Sequence, residues 1–167
     1  MSVELYRGKR LVVEKKTVSL PGGKEIERVI VHPGDAVAIL PVRADNCCYL
    51  IRQFRFAIDD YIYEVPAGTL NPGESPLDTA RRELIEETGL QAESFIDKGF
   101  IYTTPGFTDE RIFLFEAFGL SPSCKYQKDD DEVIEVIKVP LSELPAMIHD
   151  GRISDAKTIS LIFRCLG

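Results

Sequence analysis

The sequence predicts a mixed α/β or α+β fold, and three observations support this prediction. Most of the first half alternates apolar and polar residues or forms short apolar runs, as β-strands do. One amphipathic helical segment follows, and further strand-like segments come after it. The segment from Leu141 onwards returns to helical spacing. Strands on both sides of one helix, with a helical end, are typical of domains in which helices pack on sheets.

The first predicted element is a β-hairpin. Residues 17–20 alternate, residues 21–23 (Pro-Gly-Gly) have turn chemistry, and residues 25–31 alternate again. Two such runs around a short glycine-containing turn predict antiparallel pairing. The His-Pro-Gly-Asp segment at residues 32–35 ends the second strand, because proline restricts the residue before it.

Apolar runs predict the strands that follow the hairpin. Residues 36–40 and 48–54 are predicted as buried strands on either side of a polar turn at residues 43–46. Further strands are predicted at residues 99–103, 111–118 and 133–139.

The central helix is predicted over residues 76–88. Ser75 can cap its first turn, Pro76 suits the first helical position, and Asp78 stands where a capping box has its acid. Gly89 follows the last turn, where a left-handed residue closes a helix. Apolar residues recur on one side at helical spacing: Leu77, Ala80 and Leu84. Two more helical segments are predicted at residues 141–149 and 155–166, separated by Asp150-Gly151, with Ser154 capping the second.

Length and charge exclude several classes of protein. A chain of 167 residues fits one domain, since domains hold about 150 residues. Twenty Lys and Arg residues against 27 Asp and Glu give a formal charge of −7. This charge argues against nucleic acid as a partner, because a sequence-independent binder needs a basic surface.

Membrane and secretory classes are excluded in the same way. No segment approaches the roughly 20 apolar residues of a membrane helix, and residues 1–10 contain no apolar run of a signal peptide. Cysteines stand at positions 47, 48, 124 and 165 without metal or redox spacing. The cysteine pattern therefore predicts reduced thiols and a cytoplasmic location.

The central helix carries an unusual density of carboxylates. Glu83, Glu86 and Glu87 stand at i, i+3 and i+4, so their side chains are neighbours on one helix face. Residues 74–87 hold five acids and two bases, a local formal charge of −3. Oxygen ligands in this arrangement suit Mg²⁺, which takes carboxylates together with substrate phosphates. The alternative is a solvated acidic helix face, which is common in proteins.

These residues resemble the complete Nudix box, and every defined position of that pattern is filled: Gly68, Glu74, Arg82, Glu83, Leu84, Glu86, Glu87, Gly89 and Leu90. The Nudix family comprises hydrolases of nucleoside diphosphates linked to another moiety. The resemblance implies an α/β/α sandwich with a mixed sheet and a Mg²⁺ cofactor, for which Mn²⁺ can substitute.

The resemblance also implies roles for individual residues. Glu83 and Glu87 are expected as the main metal ligands, and Glu86 as a further ligand or an orienting catalytic residue. Glu74 and Arg82 are expected to form a carboxylate–guanidinium pair that fixes the loop on the helix. Gly68 is expected to let the backbone turn so that the carbonyl of Ala67 faces a metal.

Flanking residues resemble the ADP-ribose pyrophosphatase branch of the family. Residues 52–55 (Arg-Gln-Phe-Arg) and 63–68 (Tyr-Glu-Val-Pro-Ala-Gly) lead into the box, and Pro105 stands 15 residues after Leu90. The opening residues resemble that branch's N-terminal strand layer. The resemblance divides the chain into an antiparallel layer at 1–34, expected to form a homodimer, and a Nudix fold at 35–167.

Five residues are candidates for substrate contacts: Arg28, Arg52, Arg55, Glu64 and Pro105. Arg55 is expected to pair with a phosphate, because guanidinium geometry suits bidentate binding. Glu64 is expected to accept a hydrogen bond from an adenine amino group or a ribose hydroxyl. The alternatives are an exposed strand charge for Arg55, a surface salt bridge for Glu64 and a simple turn for Pro105.

A water-activating group is expected downstream of the box, by resemblance to the same branch. Residues 128–133 (Lys-Asp-Asp-Asp-Glu-Val) form the candidate loop. Glu132 is the first choice as the catalytic base, with Asp131 and Asp130 as alternates. An acidic hairpin tip without catalytic function is the other interpretation.

These observations predict a Mg²⁺-dependent hydrolase that converts ADP-ribose and water to AMP and ribose 5-phosphate. Two alternatives remain open. One is hydrolysis of another nucleoside diphosphate sugar, such as ADP-glucose or GDP-mannose, by the same metal chemistry. The other is a non-catalytic sensor that binds ADP-ribose, although such a module often loses the box glutamates that are all present here.

Overall fold

The computed structural model describes residues 2–124 and 134–166. Twelve strands lie in these ranges: β1 (Ser2–Arg7), β2 (Val12–Ser19), β3 (Glu25–His32), β4 (Ala36–Pro41), β5 (Cys47–Arg55), β6 (Asp60–Glu64), β7 (Ala67–Thr69), β8 (Leu90–Gln91), β9 (Ser94–Tyr102), β10 (Arg111–Phe118), β11 (Ser121–Pro122) and β12 (Ile134–Pro140). The described helices are α1 (Pro76–Thr88), α2 (Leu144–His149) and α3 (Ala156–Leu166).

A four-stranded mixed sheet forms the centre of the fold. Its strand order is β7-β4-β10-β9. Strands β4 and β10 run parallel, whereas β7 and β9 are antiparallel to their neighbours. A second, antiparallel sheet has the order β12-β5-β6. Both results confirm the predicted mixed α/β architecture.

Strand β4 separates two hydrophobic cores, since side chains alternate between the faces of a strand. Val37 and Ile39 face the core that contains Ala80 and Leu84 of α1. Ala38 and Leu40 face the core that holds side chains of β5, α2 and α3, among them Leu50, Leu144 and Leu161. The central sheet therefore lies between α1 on one side and the second sheet with the C-terminal helices on the other.

The N-terminal strands form a separate antiparallel sheet with the order β1-β2-β3. The predicted hairpin is present as β2 and β3, whose turn is closed by hydrogen bonds between Leu20 and Lys24 and between Gly23 and Leu20. The amide of Val31 donates to the carbonyl of Phe107 over 2.8 Å, which ties β3 to the loop before β10. The strand layer predicted within residues 1–34 is therefore present.

The helix predictions were mostly confirmed, with one wrong cap. Helix α1 has the predicted bounds, and its cap Ser75 accepts from the Asp78 amide. Helix α3 is instead capped by Asp155, whose Oδ2 accepts from the Thr158 amide over 2.9 Å. Ser154 was the wrong choice, because the helix starts at Ala156 and the residue directly before the first helical position supplies the cap.

Other differences concern short or exposed strands. Strands β1, β6, β7, β8 and β11 were not predicted, because they are short or lack a buried, alternating face.

All four cysteines are free thiols. No helix within residues 2–124 and 134–166 is long and apolar enough to cross a membrane.

Candidate active site

A cleft of about 1080 Å³ lies against the central sheet, where the first residues of β4 and β10 contribute to its lining. Strands β5 and β7, the last turns of α1 and the first turn of α3 all contribute side chains to its lining. The lining includes Gln53, Arg55, Gly68, Arg82, Glu83, Glu86, Glu87 and Lys157. The cleft therefore brings acidic residues of α1 and basic residues of β5 and α3 into one space.

Arg82 organises the acidic side of the cleft. Its Nε and Nη2 each lie 3.0 Å from an oxygen of Glu74, so the two residues form a bidentate pair. Its Nη1 donates to Glu83 over 2.7 Å and to Glu86 over 2.8 Å. Nη2 also reaches the carbonyl of Thr69 at 3.2 Å. One guanidinium thus holds the loop before α1 and two carboxylates of the helix in a fixed arrangement.

The charges of this network stabilise one another. The hydrogen bonds from Arg82 lower the pKa of Glu74 from 4.5 to about 2. The same carboxylate, with help from the charges of Glu83 and Glu86, raises the pKa of Arg82 above its usual range. Glu74 therefore stays ionised throughout the physiological range.

Gly68 and Ala67 bring the backbone of β7 against the other carboxylates. A Cβ atom at Gly68 would overlap the carboxylate of Glu83. The amide of Ala67 donates to Glu87 Oε2 over 2.8 Å. Gly68 is not among the glycines with positive φ. The lack of a side chain, which allows close approach, is what the position requires.

Glu83, Glu86 and Glu87 provide only oxygen donors, the type that Mg²⁺ and Mn²⁺ prefer. Glu83 and Glu87 are 9% and 6% exposed, so two carboxylates are withdrawn from solvent. Glu83 and Glu86 already converge on one cationic atom, Arg82 Nη1. In the part of the chain that the structure describes, no three His, Cys, Asp or Glu side chains are gathered at metal-ligand spacing. By donor type the three carboxylates fit an oxygen-ligated divalent cation, and Glu83 and Glu86 also converge on a cation, whereas Glu87 contacts the amide of Ala67.

A second charged cluster, formed by Glu64, Arg55 and Lys157, contributes Arg55 and Lys157 to the cleft lining. Glu64 is 1% exposed, and its carboxylate accepts from Arg55 Nε over 2.7 Å, from Arg55 Nη2 and from Lys157 Nζ over 2.6 Å. Burial raises the pKa of Glu64, but the hydrogen bonds and charges of Arg55 and Lys157 outweigh it and lower the pKa below its ordinary value. The hydrogen bond to Glu64 also raises the pKa of Arg55.

Sequence reasoning missed Lys157 and Asp155. Lys157 Nζ lies 3.1 Å from Asp155 Oδ1, while Asp155 Oδ2 accepts from the amide and the hydroxyl of Thr158. The Thr158 hydroxyl in turn accepts from the amide of Val65 over 2.9 Å, which ties α3 to the segment before β7. The Asp-x-x-Thr pattern at residues 155–158 could have predicted the helix cap. No pattern in the sequence predicts that residue 157 contacts residue 64.

The other predicted site residues lie elsewhere. Glu64 itself lies beneath the cleft lining, with its oxygens occupied by Arg55 and Lys157. Arg52 stacks 4.3 Å from the ring centroid of Tyr61, and Arg28 is exposed on β3. Pro105 lies in a turn closed by bonds from Phe107 and Thr108 to the Thr104 carbonyl. Glu132, with its alternates Asp131 and Asp130, lies outside the described residues.

Comparisons with a family model, with known proteins and with solved structures each match most of the chain. The model of the NUDIX domain matches residues 32–162. An ADP-ribose pyrophosphatase of Bacillus subtilis (strain 168) is 40% identical over 157 residues, covering 93% of this chain and 84% of that protein. A methanol dehydrogenase activator of Bacillus methanolicus is 38% identical over 158 residues, covering 93% and 85%.

A GDP-mannose pyrophosphatase of Yersinia enterocolitica is 36% identical over 154 residues, covering 83% of this chain and 76% of that protein. Among solved structures, one described as an ADP compounds hydrolase superimposes with a TM-score of 0.87. The match covers 99% of this chain and 90% of the other at 23% identity. At 23% identity, this similarity shows only that the two chains share a fold.

Proposed function

Because this chain belongs to the Nudix family, we propose that it hydrolyses the diphosphate bond of ADP-ribose to give AMP and ribose 5-phosphate. The observation that carries this proposal is the cleft itself. Three carboxylates of α1 and two cations, Arg55 and Lys157, line the same space. A diphosphate needs both, since the carboxylates hold a divalent cation and the basic side chains bind phosphate oxygens.

Glu83, Glu86, Glu87 and the carbonyl of Ala67 would hold Mg²⁺ or Mn²⁺. When bound, the cation neutralises charge on the phosphate oxygens and lowers the pKa of water. Arg82 keeps Glu83 and Glu86 oriented through the 2.7 Å and 2.8 Å hydrogen bonds to its Nη1. We assign Arg82 a positioning role, because its remaining donors are engaged by Glu74 and Thr69.

Arg55 and Lys157, which line the same cleft, bind the phosphates of the substrate. Glu64 positions both cations, since its buried carboxylate contacts each of them. Besides Glu64, the charge of Glu87 also raises the pKa of the Arg55 guanidinium, so a carboxylate of α1 acts on this cation. A phosphate in the cleft would contact the cations Arg55 and Lys157 and would share a divalent cation with the carboxylates of α1. This arrangement of cations and carboxylates around a phosphate supports hydrolysis of the diphosphate by attack of water on phosphorus.

Glu132 remains our proposal for the group that takes a proton from the attacking water. It is supported by resemblance to the ADP-ribose branch, in which a downstream loop supplies this acid. Glu132→Gln is expected to lower kcat by 10²-fold or more, since general bases contribute roughly 10² to 10⁴. If this variant stays nearly as active as the wild type, Asp131→Asn and Asp130→Asn identify the base instead.

The substrate is tested by assaying a panel of nucleoside diphosphate derivatives with Mg²⁺. ADP-ribose, ADP-glucose and GDP-mannose are compared by release of nucleoside monophosphate, using the wild type and Glu87→Gln. We expect ADP-ribose to have the highest kcat/KM and Glu87→Gln to abolish most of it. Glu93→Gln removes an exposed carboxylate between β8 and β9 and is expected to leave activity unchanged.

Two results would contradict the proposal in different ways. GDP-mannose turnover far above that of ADP-ribose would keep the hydrolase but change its substrate, as the similarity to a GDP-mannose pyrophosphatase allows. Tight binding of ADP-ribose without turnover of any compound would identify a sensor. EDTA is expected to remove activity, and added Mg²⁺ or Mn²⁺ to restore it.

We also propose that the chain forms a homodimer through the sheet β1-β2-β3. The proposal is supported by the apolar side chains that β1 exposes, Val3, Leu5 and Tyr6. Exposed apolar side chains on an edge strand are normally covered by a partner. By resemblance to the branch, the partner's layer would complete the substrate site, and exposed Arg28 is a candidate contributor.

A further inference from the structure

Gln53 has a buried acceptor atom without a donor. It lies on β5, lines the cleft and is only 6% exposed. Within residues 2–124 and 134–166, its Oε1 has no hydrogen-bond partner. Buried polar atoms in native proteins nearly always have a partner, and one without a partner destabilises the fold. The position therefore has a cost in stability that packing does not explain.

The strand register places Gln53 beside the proposed phosphate-binding cations. Gln53 pairs with Ile62 of β6, and Ile51, two residues earlier, pairs with Glu64. Because side chains two residues apart share a face, Ile51, Gln53 and Arg55 point the same way. The Arg55 guanidinium reaches back to Glu64 and thus passes the position of Gln53. Along the strand pair, the register therefore places Gln53 between Arg55 and the position of Glu64.

The chemistry of an amide oxygen limits the ligand group that satisfies it. Oε1 accepts hydrogen bonds and repels anionic oxygens, so a phosphate oxygen is excluded. A hydroxyl on the sugar directly attached to that phosphate is a donor of suitable reach. We propose that Gln53 is a specificity-determining residue whose Oε1 accepts a hydrogen bond from a ribose hydroxyl of the bound nucleoside diphosphate ribose. This inference rests on the proposed substrate class.

Such an acceptor selects against the wrong ligand. A site built to accept from a hydroxyl rejects an analogue without that hydroxyl, because the buried acceptor is then left unpaired. In the free protein Oε1 has no donor among the described residues, and a ligand hydroxyl would supply one. Gln53 therefore contributes to affinity while it reduces the stability of the free chain.

Gln53→Met tests the inference, because methionine has nearly the same length and its thioether is a weak acceptor. Affinity is measured by calorimetry with Mg²⁺ in a Glu87→Gln background, where turnover is suppressed. We expect Gln53→Met to weaken ADP-ribose binding about 10-fold, the loss of one hydrogen bond. Its melting temperature is expected to equal or exceed that of the parent. Gln91→Met, which changes an exposed glutamine on β8, should alter neither quantity.

Analogues of ADP-ribose that lack one ribose hydroxyl identify the donor. We expect the parent protein to bind one of these analogues weakly. For that analogue, Gln53→Met should cause no further loss of affinity, since the missing hydroxyl and the substitution remove the same hydrogen bond. An equal further loss with every analogue would overturn the inference. So would a lower melting temperature with unchanged affinity, which indicates a purely structural glutamine. Wild-type turnover separately decides the proposed function, because the binding comparison does not require hydrolysis.

Discussion

Gly68 lies so close to the Glu83 carboxylate that a single added carbon atom would occupy the same space. Gly68→Ala is therefore expected to displace Glu83 and to shift β7. Overpacking of this kind costs about 1–3 kcal/mol of stability. A displacement of about 1 Å at a catalytic group can lower kcat about 100-fold. Urea unfolding and steady-state kinetics with ADP-ribose measure the two effects.

Gly106→Ala is the matched control for this glycine. No atom lies within 4 Å of a Cβ built at Gly106, and its φ is outside the left-handed region. Its free energy of unfolding should match that of the wild type. Full activity and stability in Gly68→Ala would mean that the Glu83 carboxylate is not fixed against β7.

The Glu74–Arg82 pair predicts how stability depends on pH. The folded-state pKa of Glu74 is about 2, against 4.5 for the free group. Because the pKa is lowered, the stabilisation is complete above about pH 4.5 and is lost as the pH falls towards 2. Glu74→Gln should reduce the free energy of unfolding by about 1.5–3 kcal/mol at pH 7, as expected for bonds to a charged group.

The difference between wild type and Glu74→Gln should shrink as the pH is lowered from 5 to 3, measured by urea unfolding at each pH. A difference that stays constant over this range would show that the carboxyl charge is not what Arg82 stabilises. Glu25→Gln, which changes an exposed acid of β3, supplies the baseline.

At the scale of an element, the cap of α3 connects folding to the substrate site. Asp155 caps the helix with one oxygen and contacts Lys157 with the other. Asp155→Ala is expected to cost about 1 kcal/mol, typical of a lost cap. For a chain of this size that lowers the melting temperature by about 2–4 °C. Calorimetric melting is the measurement.

Two variants separate the functions of this residue. Asp155→Asn keeps a capping oxygen and loses the charge next to Lys157, so it should retain most of the stability. Ser154→Ala changes the exposed residue before the cap and should leave the melting temperature unchanged. If Ser154→Ala proves as damaging as Asp155→Ala, the cap has been assigned to the wrong residue.

The elements show which parts of a structure a sequence can predict. Helix α1 was predicted with its bounds because cap, apolar spacing and closing glycine are all local signals. The acidic wall was predictable for the same reason, since its residues lie within one segment. Lys157 was not, because its contact with Glu64 joins residues 93 positions apart. Gln53 was missed because an unpaired acceptor exists only in a folded environment.

For the whole molecule, the net charge of −7 is compatible with an anionic substrate because the cleft holds basic side chains as well as acidic ones. The acids of α1 line the same cleft as Arg55 and Lys157. Part of the negative charge therefore serves to hold a cation between protein and phosphate. The average charge of the chain is a poor guide to the charge that a ligand meets.

The N-terminal sheet makes a prediction about assembly. Strand β1 is an edge strand, and its residues Val3, Leu5 and Tyr6 are 54%, 53% and 59% exposed. Exposed apolar edges favour association and are normally covered. Light scattering coupled to gel filtration is expected to give the mass of a dimer. The double variant Val3→Asp/Leu5→Asp should give a monomer, because it places charges in the interface.

Phe163→Asp serves as the control for that double variant, since Phe163 is 76% exposed on α3 and lies outside the N-terminal sheet. It should remain a dimer with unchanged kcat/KM. If the partner's layer completes the substrate site, the monomeric variant should have a raised KM for ADP-ribose while its melting curve keeps one transition. A monomer with the KM of the wild type would show that each cleft works alone. If the wild type is already monomeric, the proposed interface does not exist. The exposed apolar side chains of β1 would then need another partner.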